Sequence, residues 1–304
     1  MSAPPLTFRR HSVPMLAIKG TYRLIGSEPD GDTVHFLPQD PGFWCDVPGE
    51  HRVERNSRGG GKIRMEGIDA LETHYSGVGP DSVHQPLCLG AVGARDELIS
   101  WLGFSDVVRG SDGKVTGSTP EVVPGFVLTS GADTYGRCIA LVGRGDLPVN
   151  VPNGRRIDVT PSLLHQTANH HLLSLGLVYP TFYSNLPKEL RLDMTATAQQ
   201  ARATKAPTGV WAHDVTTTGT TIDDLKSITE HQVILPKLFR RLADYIRLFG
   251  PSLTCFPAFL AGEGEEFFLP EQTTSVTGLQ RVVEIDGNTI RMTRNIEDIV
   301  LVEK

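Results

Sequence analysis

Cysteine frameworks are missing from this sequence. Its 304 residues hold four cysteines, Cys45, Cys88, Cys138 and Cys255, none of them in a Cys-x-x-Cys pair. That spacing excludes a disulfide-stapled scaffold and a zinc ribbon. Each thiol sits in an apolar or mixed stretch and is expected to be buried and free. Long apolar runs are missing too, so no segment is expected to cross a bilayer. Arg9 and Arg10 are not followed by the apolar core of a signal peptide, which leads us to expect a reducing, cytoplasmic setting and no membrane partner. Positive charge is not in excess: 29 Lys and Arg face 35 Asp and Glu, for a net charge of -6. A surface that grips polyanions everywhere is basic, because neutralised phosphates release counterions. This balance argues against that mode and leaves room for a local basic cleft. There is no convincing internal repeat.

Glycine (31) and proline (21) are abundant, and 39% of the chain is hydrophobic. That favours a loop-rich protein with strands and a real core over a helical bundle. Residues 1–16, with three prolines, are expected to form an arm. β-favouring residues predict strands over Leu16–Ile25, Thr33–Leu37, Lys62–Ile68, Val122–Thr129 and Cys138–Val142. A turn at Asp30-Gly31-Asp32 joins the first two. Residues 38–61 and 105–119 are polar loops. A helix is expected from Pro86 to Leu102, a second from Thr160 or Ser162 to Leu175, and a third from Pro187 to about Ala206. Five strands with a helix between the third and fourth, then further helices, fit a five-stranded OB-fold-like barrel in an α+β protein. The threonine-rich tract Thr216–Thr221 is expected to be a linker. Beyond it, residues 216–304 predict a small α/β appendage, with a basic helix over Ile234–Phe249 and a hairpin around Asp286-Gly287-Asn288.

Three separated stretches carry chemistry: Asp30-Gly31-Asp32-Thr33, Arg64 through Glu72, and Asp133-Thr134-Tyr135-Gly136-Arg137. Asp32 opens a strand and Asp69 ends one, so their carboxylates can converge on a hard cation such as Ca²⁺, which takes oxygen ligands. Glu72, three residues beyond Asp69, can take a proton from an attacking water without binding the ion. The donor forks of Arg64 and Arg137 suit phosphate oxygens and the charge that builds on phosphorus.

In these blocks the chain resembles the thermonuclease (staphylococcal nuclease-like) family over roughly residues 17–215. The matches are Asp30-Gly31-Asp32-Thr33-Val34, Arg64 followed by Gly67-Ile68-Asp69-Ala70 and Glu72, Asp133-x-Tyr135-Gly136-Arg137, and Gly209-Val210-Trp211. The resemblance implies that Asp32, Asp69 and the main-chain carbonyl of Ala70 hold Ca²⁺, and that Arg64, Glu72 and Arg137 are catalytic. It also implies a low-specificity nuclease on DNA and RNA that leaves 3′-phosphate ends. Tyr135, Tyr179, Phe182 and Tyr183 are candidate substrate-binding aromatics.

The chain departs from the family at two positions. Leu71 replaces the usual proline, and Thr134 stands where a phosphate-contacting lysine is common. Glu66 is expected to be a structural or solvent-facing carboxylate. His165, His170 and His171 are expected to pack rather than ligate, and His74 to lie near the cleft. The basic stripe Lys237, Arg240, Arg241 and Arg247 predicts a solvated face or a track for nucleic-acid backbone. The alternatives to a nuclease are a nucleic-acid- or protein-binding module on the same barrel, and a C-terminal part that oligomerises or targets the chain. Restraint of the activity is expected from a loop, from the C-terminal part or from scarce Ca²⁺.

Overall fold

A computed structural model describes residues 14–147, 151–204, 209–270, 272 and 274–303. The arm expected over residues 1–16 lies almost wholly outside the described residues. Five strands close on themselves: β1 (Met15–Arg23), β2 (Thr33–Pro38), β3 (Gly61–Met65), β4 (Val122–Ala132) and β5 (Cys138–Arg144). β1 pairs antiparallel with both β2 and β4, β2 with β3, and β4 with β5, and the parallel β3–β5 pair closes the ring. Closure removes the unpaired edges that an open sheet would expose. Alternating residues of β1 and β2 point inward, among them Ile18, Tyr22, Val34 and Phe36, and the rings of Tyr22 and Phe36 lie 5.1 Å apart in the centre. Each such side chain contributes roughly 1.5–3 kcal/mol by leaving water. The Tyr22 hydroxyl donates to the Phe126 carbonyl at 2.6 Å, so its burial leaves no polar group unmet.

Among the helices that dress the barrel and the unit beyond it are α1 (Ala91–Leu102), α2 (Ala168–Ser174), α3 (Lys188–Arg202) and α4 (Pro236–Phe249). Asn169 ties α2 to the barrel, accepting from Val142 N at 2.8 Å and donating to the Glu66 carbonyl at 2.8 Å. The continuous helix expected up to Leu175 is broken. Thr160 caps one turn, Pro161–Leu164, and Thr167 caps α2, because its hydroxyl faces the His170 amide. The helix expected from Pro86 likewise starts only at Ala91, after a separate turn over Leu87–Leu89. The polar loop 105–119 is a hairpin, Ser105–Arg109 against Val115–Thr119. The loop 38–61 is anchored by Trp44, which is buried and donates its indole N–H to the Gly59 carbonyl at 2.9 Å.

A second core lies beside the barrel. It mixes C-terminal residues such as Phe239, Leu242, Phe256 and Phe267 with Leu71, Ala91, Tyr179 and Trp211 from the earlier part of the chain. The threonine tract is not a linker. Thr216 and Thr220 are buried, the Thr216 hydroxyl accepts from Leu235 N, and Thr220–Thr221 pairs with Thr289–Ile290 of the expected hairpin. The thiols are also a correction: all four cysteines are free, but only Cys138 is buried, and Cys45, Cys88 and Cys255 are exposed.

Candidate active site

Gly31 sets the first acidic pair. A Cβ at this position would lie 2.6 Å from Ala70 Cβ and 2.7 Å from Ala94 Cβ, so only glycine lets the turn press against both. The press fixes Asp30 and Asp32 on either side. Asp32 accepts from Ala70 N at 3.2 Å and from the Thr33 hydroxyl at 3.2 Å, and Asp30 accepts from the Thr73 hydroxyl at 3.0 Å. Gly67, with φ of 79°, turns the chain out of β3 into the short strand Ile68–Asp69, which pairs with Tyr179–Pro180. Asp69 is buried there, and Ala70 follows it directly onto Asp32. Arg64 lies opposite Thr33 in the β2–β3 register. Arg137 is clamped by Asp133, to whose carboxylate its Nε donates at 2.7 Å and its backbone N at 2.9 Å.

Asp32 lies within electrostatic range of Asp69, Arg64 and Arg137, and Glu72 within range of Asp32 and Asp69. Burial raises the Asp32 carboxyl above its usual range and Asp69 raises it further, while Arg64 and Arg137 pull it down. Burial pushes Glu72 up to about 7; Arg240 opposes the shift, and Asp30, Asp69 and Asp32 add to it. Asp30 is pushed up to about 7 by burial and by Asp32 beside it. Burial works against the Arg64 charge, but Tyr183, Asp69, Glu303 and Asp32 outweigh it and hold the guanidinium more firmly protonated than usual.

The donor set suits a hard divalent cation. It offers the oxygen ligands of Asp32 and Asp69, joined through the Ala70 N–H from which Asp32 accepts. Asp30, Asp32, Asp69 and Glu72 act on one another, which raises Asp30, Asp32 and Glu72, and a bound cation would relieve that repulsion.

Arg240, expected from the basic stripe on a solvated face or a nucleic-acid track, instead lies among the acids. Its Nη2 donates to Asp69 Oδ2 at 3.0 Å and its Nη1 to Glu72 Oε1, joining two acids that lie 171 and 168 positions away in the chain. The same face of α4 carries Asp244 and Arg247. Asp244 accepts from the Tyr75 hydroxyl at 2.6 Å and from Val78 N at 2.8 Å, and Arg247 donates to the carbonyls of Val78 and Asp81. The loop after Glu72 is therefore latched along α4. Leu71 is buried in the second core, which gives a packing reason for leucine at that position.

The basic stripe is neither a solvated face nor an open track. Lys237 pairs with Glu265 at 2.8 Å, and Arg241 with Glu263 and Glu265 at 2.9 and 2.8 Å. The signal for Arg240 was present in the Arg240–Asp244–Arg247 spacing, one helical face, but its partners could not be named without the fold.

The aromatic candidates divide. Tyr135 is 77% exposed, with the Arg137 guanidinium 5.7 Å from its ring centroid, and Tyr183 is half-buried beneath Arg64 at 4.6 Å. Tyr179 and Phe182 are corrections. Both are buried, Tyr179 donating to Asp214 at 2.7 Å and Phe182 packing in the barrel core, so neither face is open to a base. His74 lies 3.7 Å from Glu28, near the pocket.

The broken helix brings the His165 and His170 rings to 4.1 Å, and with Asp193 their ligand atoms fall within 4.8 Å. Each Nε2 already has a partner: Asp193 at 2.8 Å for His165, and Thr197 at 3.2 Å for His170. His171 pairs with Glu97 at 2.7 Å.

Glu66 does not face solvent. It is buried, accepts from the Ser130 hydroxyl at 2.8 Å, and is pushed by burial from 4.5 up to about 7. The folded state therefore holds this proton over an interval in which the unfolded chain has lost it. The stability it contributes is fully present below 4.5 and is lost as pH rises through about 7. At ~1.4 kcal/mol per unit, the loss is on the order of 3 kcal/mol. Urea denaturation of Glu66→Gln, which stays neutral, is expected to lack this slope and to show a variant more stable than wild type at alkaline pH. An unchanged slope contradicts the assignment.

A basic cleft opens beside Arg137. A cavity of about 190 Å³ is lined by His35, Arg55, Lys62, Tyr135 and Arg137, with Glu54 the acidic exception. The long loop 38–61 supplies Arg55, and Arg52 lines the neighbouring hollow. Locally positive surface thus coexists with the chain's net charge of -6. No helix among the described residues is long and apolar enough to cross a membrane. No family model matches the chain, and no curated protein does.

Proposed function

We propose that this protein is a Ca²⁺-dependent hydrolase of phosphodiester bonds in DNA, and in RNA, with little sequence preference. The observation that supports the reading is the gathering of acids around Asp32: Ala70, next to Asp69, donates its N–H to Asp32, one guanidinium spans Asp69 and Glu72, and Arg64 and Arg137 act on Asp32. Asp32, Asp69 and the Ala70 carbonyl would hold the ion. Once bound, Ca²⁺ supplies electrostatic stabilisation of a phosphate oxygen. Glu72 takes a proton from the attacking water, whose oxygen bonds to phosphorus as the ester bond to the leaving oxygen breaks. The leaving oxygen picks up a proton, giving a 5′-hydroxyl and a 3′-phosphate. Arg64 and Arg137 offset the charge that builds on the phosphoryl oxygens. Asp133 positions Arg137. The cleft of Arg55, Lys62 and Tyr135 gives the strand a path past Arg137.

The test is nicking of plasmid and of single-stranded DNA with Ca²⁺ and then with chelator. Chelator-sensitive cleavage above that of Glu72→Gln is expected; none rejects the reading. One observation favours a second reading, a module that binds without cutting: Asp69 and Glu72 are already paired with Arg240. DNA affinity with no turnover, unaffected by Asp32→Ala, would select it.

A further inference from the structure

We propose that Arg240 is a built-in occupant of the cation site, so that Ca²⁺ and this guanidinium compete for Asp69, and the guanidinium holds Glu72 while it is there. The inference rests on the nuclease reading and names the regulation of that site. Arg240 spans the two acids, touching both Asp69 oxygens and Glu72 Oε1. While it does so, the carboxylate assigned to the ion and the one assigned to the attacking water are both engaged. A buried carboxylate with no cation partner is costly, so one positive group must be present in either state.

The arginine is not a loose surface side chain that settled there. Asp244 and Arg247, on the same face of α4, bind the loop over Tyr75–Asp81 that follows Glu72. Gln85 bridges the same loop to the C-terminal part: it accepts from Glu72 N at 3.1 Å and donates to the Ile234 carbonyl at 2.7 Å. The unit that supplies Arg240 thus also fixes the backbone of Glu72. It reaches the phosphate side as well, because Glu303, just past the strand Val300–Leu301, acts on Arg64. One C-terminal unit therefore sets a cation against the acids and an anion near the catalytic arginine. These are the charges that an ion and a scissile phosphate would bring.

A site that binds its ion only in the fraction of molecules with the arginine withdrawn shows an affinity reduced by that fraction. Calorimetric titration of the full chain with Ca²⁺ alone, with thermal melts in Ca²⁺ and in chelator, tests this. Arg240→Gln is expected to bind Ca²⁺ at least roughly tenfold more tightly than wild type. Ca²⁺ should also stabilise it more, because the ion replaces the lost positive charge. Arg240→Lys, which keeps that charge, should bind as weakly as wild type.

Equal affinity in wild type and Arg240→Gln, or no binding by either, overturns the proposal. So does an Arg240→Gln protein that stays unfolded in millimolar Ca²⁺, since the ion was to take the arginine's place. A variant that gains Ca²⁺ affinity but cuts no plasmid keeps this inference and removes the nuclease reading. Equal affinities with cleavage by both proteins do the reverse.

Discussion

Glu72→Gln is expected to slow Ca²⁺-dependent plasmid nicking by about 10²–10⁴-fold, the usual range for the loss of a positioned proton acceptor. The substitution is close to isosteric and leaves an oxygen for Arg240. The backbone of Glu72 is held independently, its N–H by the Gln85 side chain and its carbonyl by Gln85 N at 2.8 Å, so the loop should keep its course. What the amide cannot do is take a proton from water. DNA affinity should therefore stay near that of wild type while turnover falls. Single-turnover rates at saturating Ca²⁺ read this directly, and a loss of less than about tenfold would remove Glu72 from the proton-acceptor role.

Arg64→Ala should cost about 10²–10³-fold in the same assay, as for loss of one donor that stabilises transition-state charge. Arg64 lies over Tyr183 and within range of Asp32 and Asp69, so its removal also takes a cation from an acid-rich pocket. Arg64→Lys separates the two effects. It restores the charge, and with it the stability, but not the planar fork that meets two phosphate oxygens, so its rate should recover only in part. A lysine variant with full activity would show that Arg64 acts only as a point charge. An alanine variant with the wild-type rate would remove it from the site.

The barrel was legible because its signals are local. Thr33–Pro38 and Gly61–Met65 carry β-branched residues between turn signals, and the Asp30-Gly31-Asp32 turn has a steric reason to be where it is. Helix continuity was less legible. Threonine at 167 looks like an interior residue, yet its hydroxyl caps a new helix, and the break stacks His165 on His170. Tyr179 and Phe182 looked like stacking platforms, but an aromatic side chain carries no local mark of which core it fills, and these two are buried. Arg240 was the hardest to see. Its charge reads as surface on a basic helix, and only long-range packing, through Leu71 and the latch of Asp244 and Arg247, turns it toward Asp69 and Glu72. The threonine tract misled for the same reason: its hydroxyls and strand pairing are satisfied by partners as distant as Thr289 and Ile290.

One site is proposed to grip both an ion and a scissile phosphate. This is tested most directly by a crystal structure of Arg240→Gln soaked with Ca²⁺ and a nucleoside 3′,5′-bisphosphate. An ion bound by Asp32, Asp69 and the Ala70 carbonyl is expected, with a phosphate in reach of Arg64 and Arg137. An ion held elsewhere, at His165, His170 and Asp193 for instance, with the nucleotide far from both arginines, would contradict it.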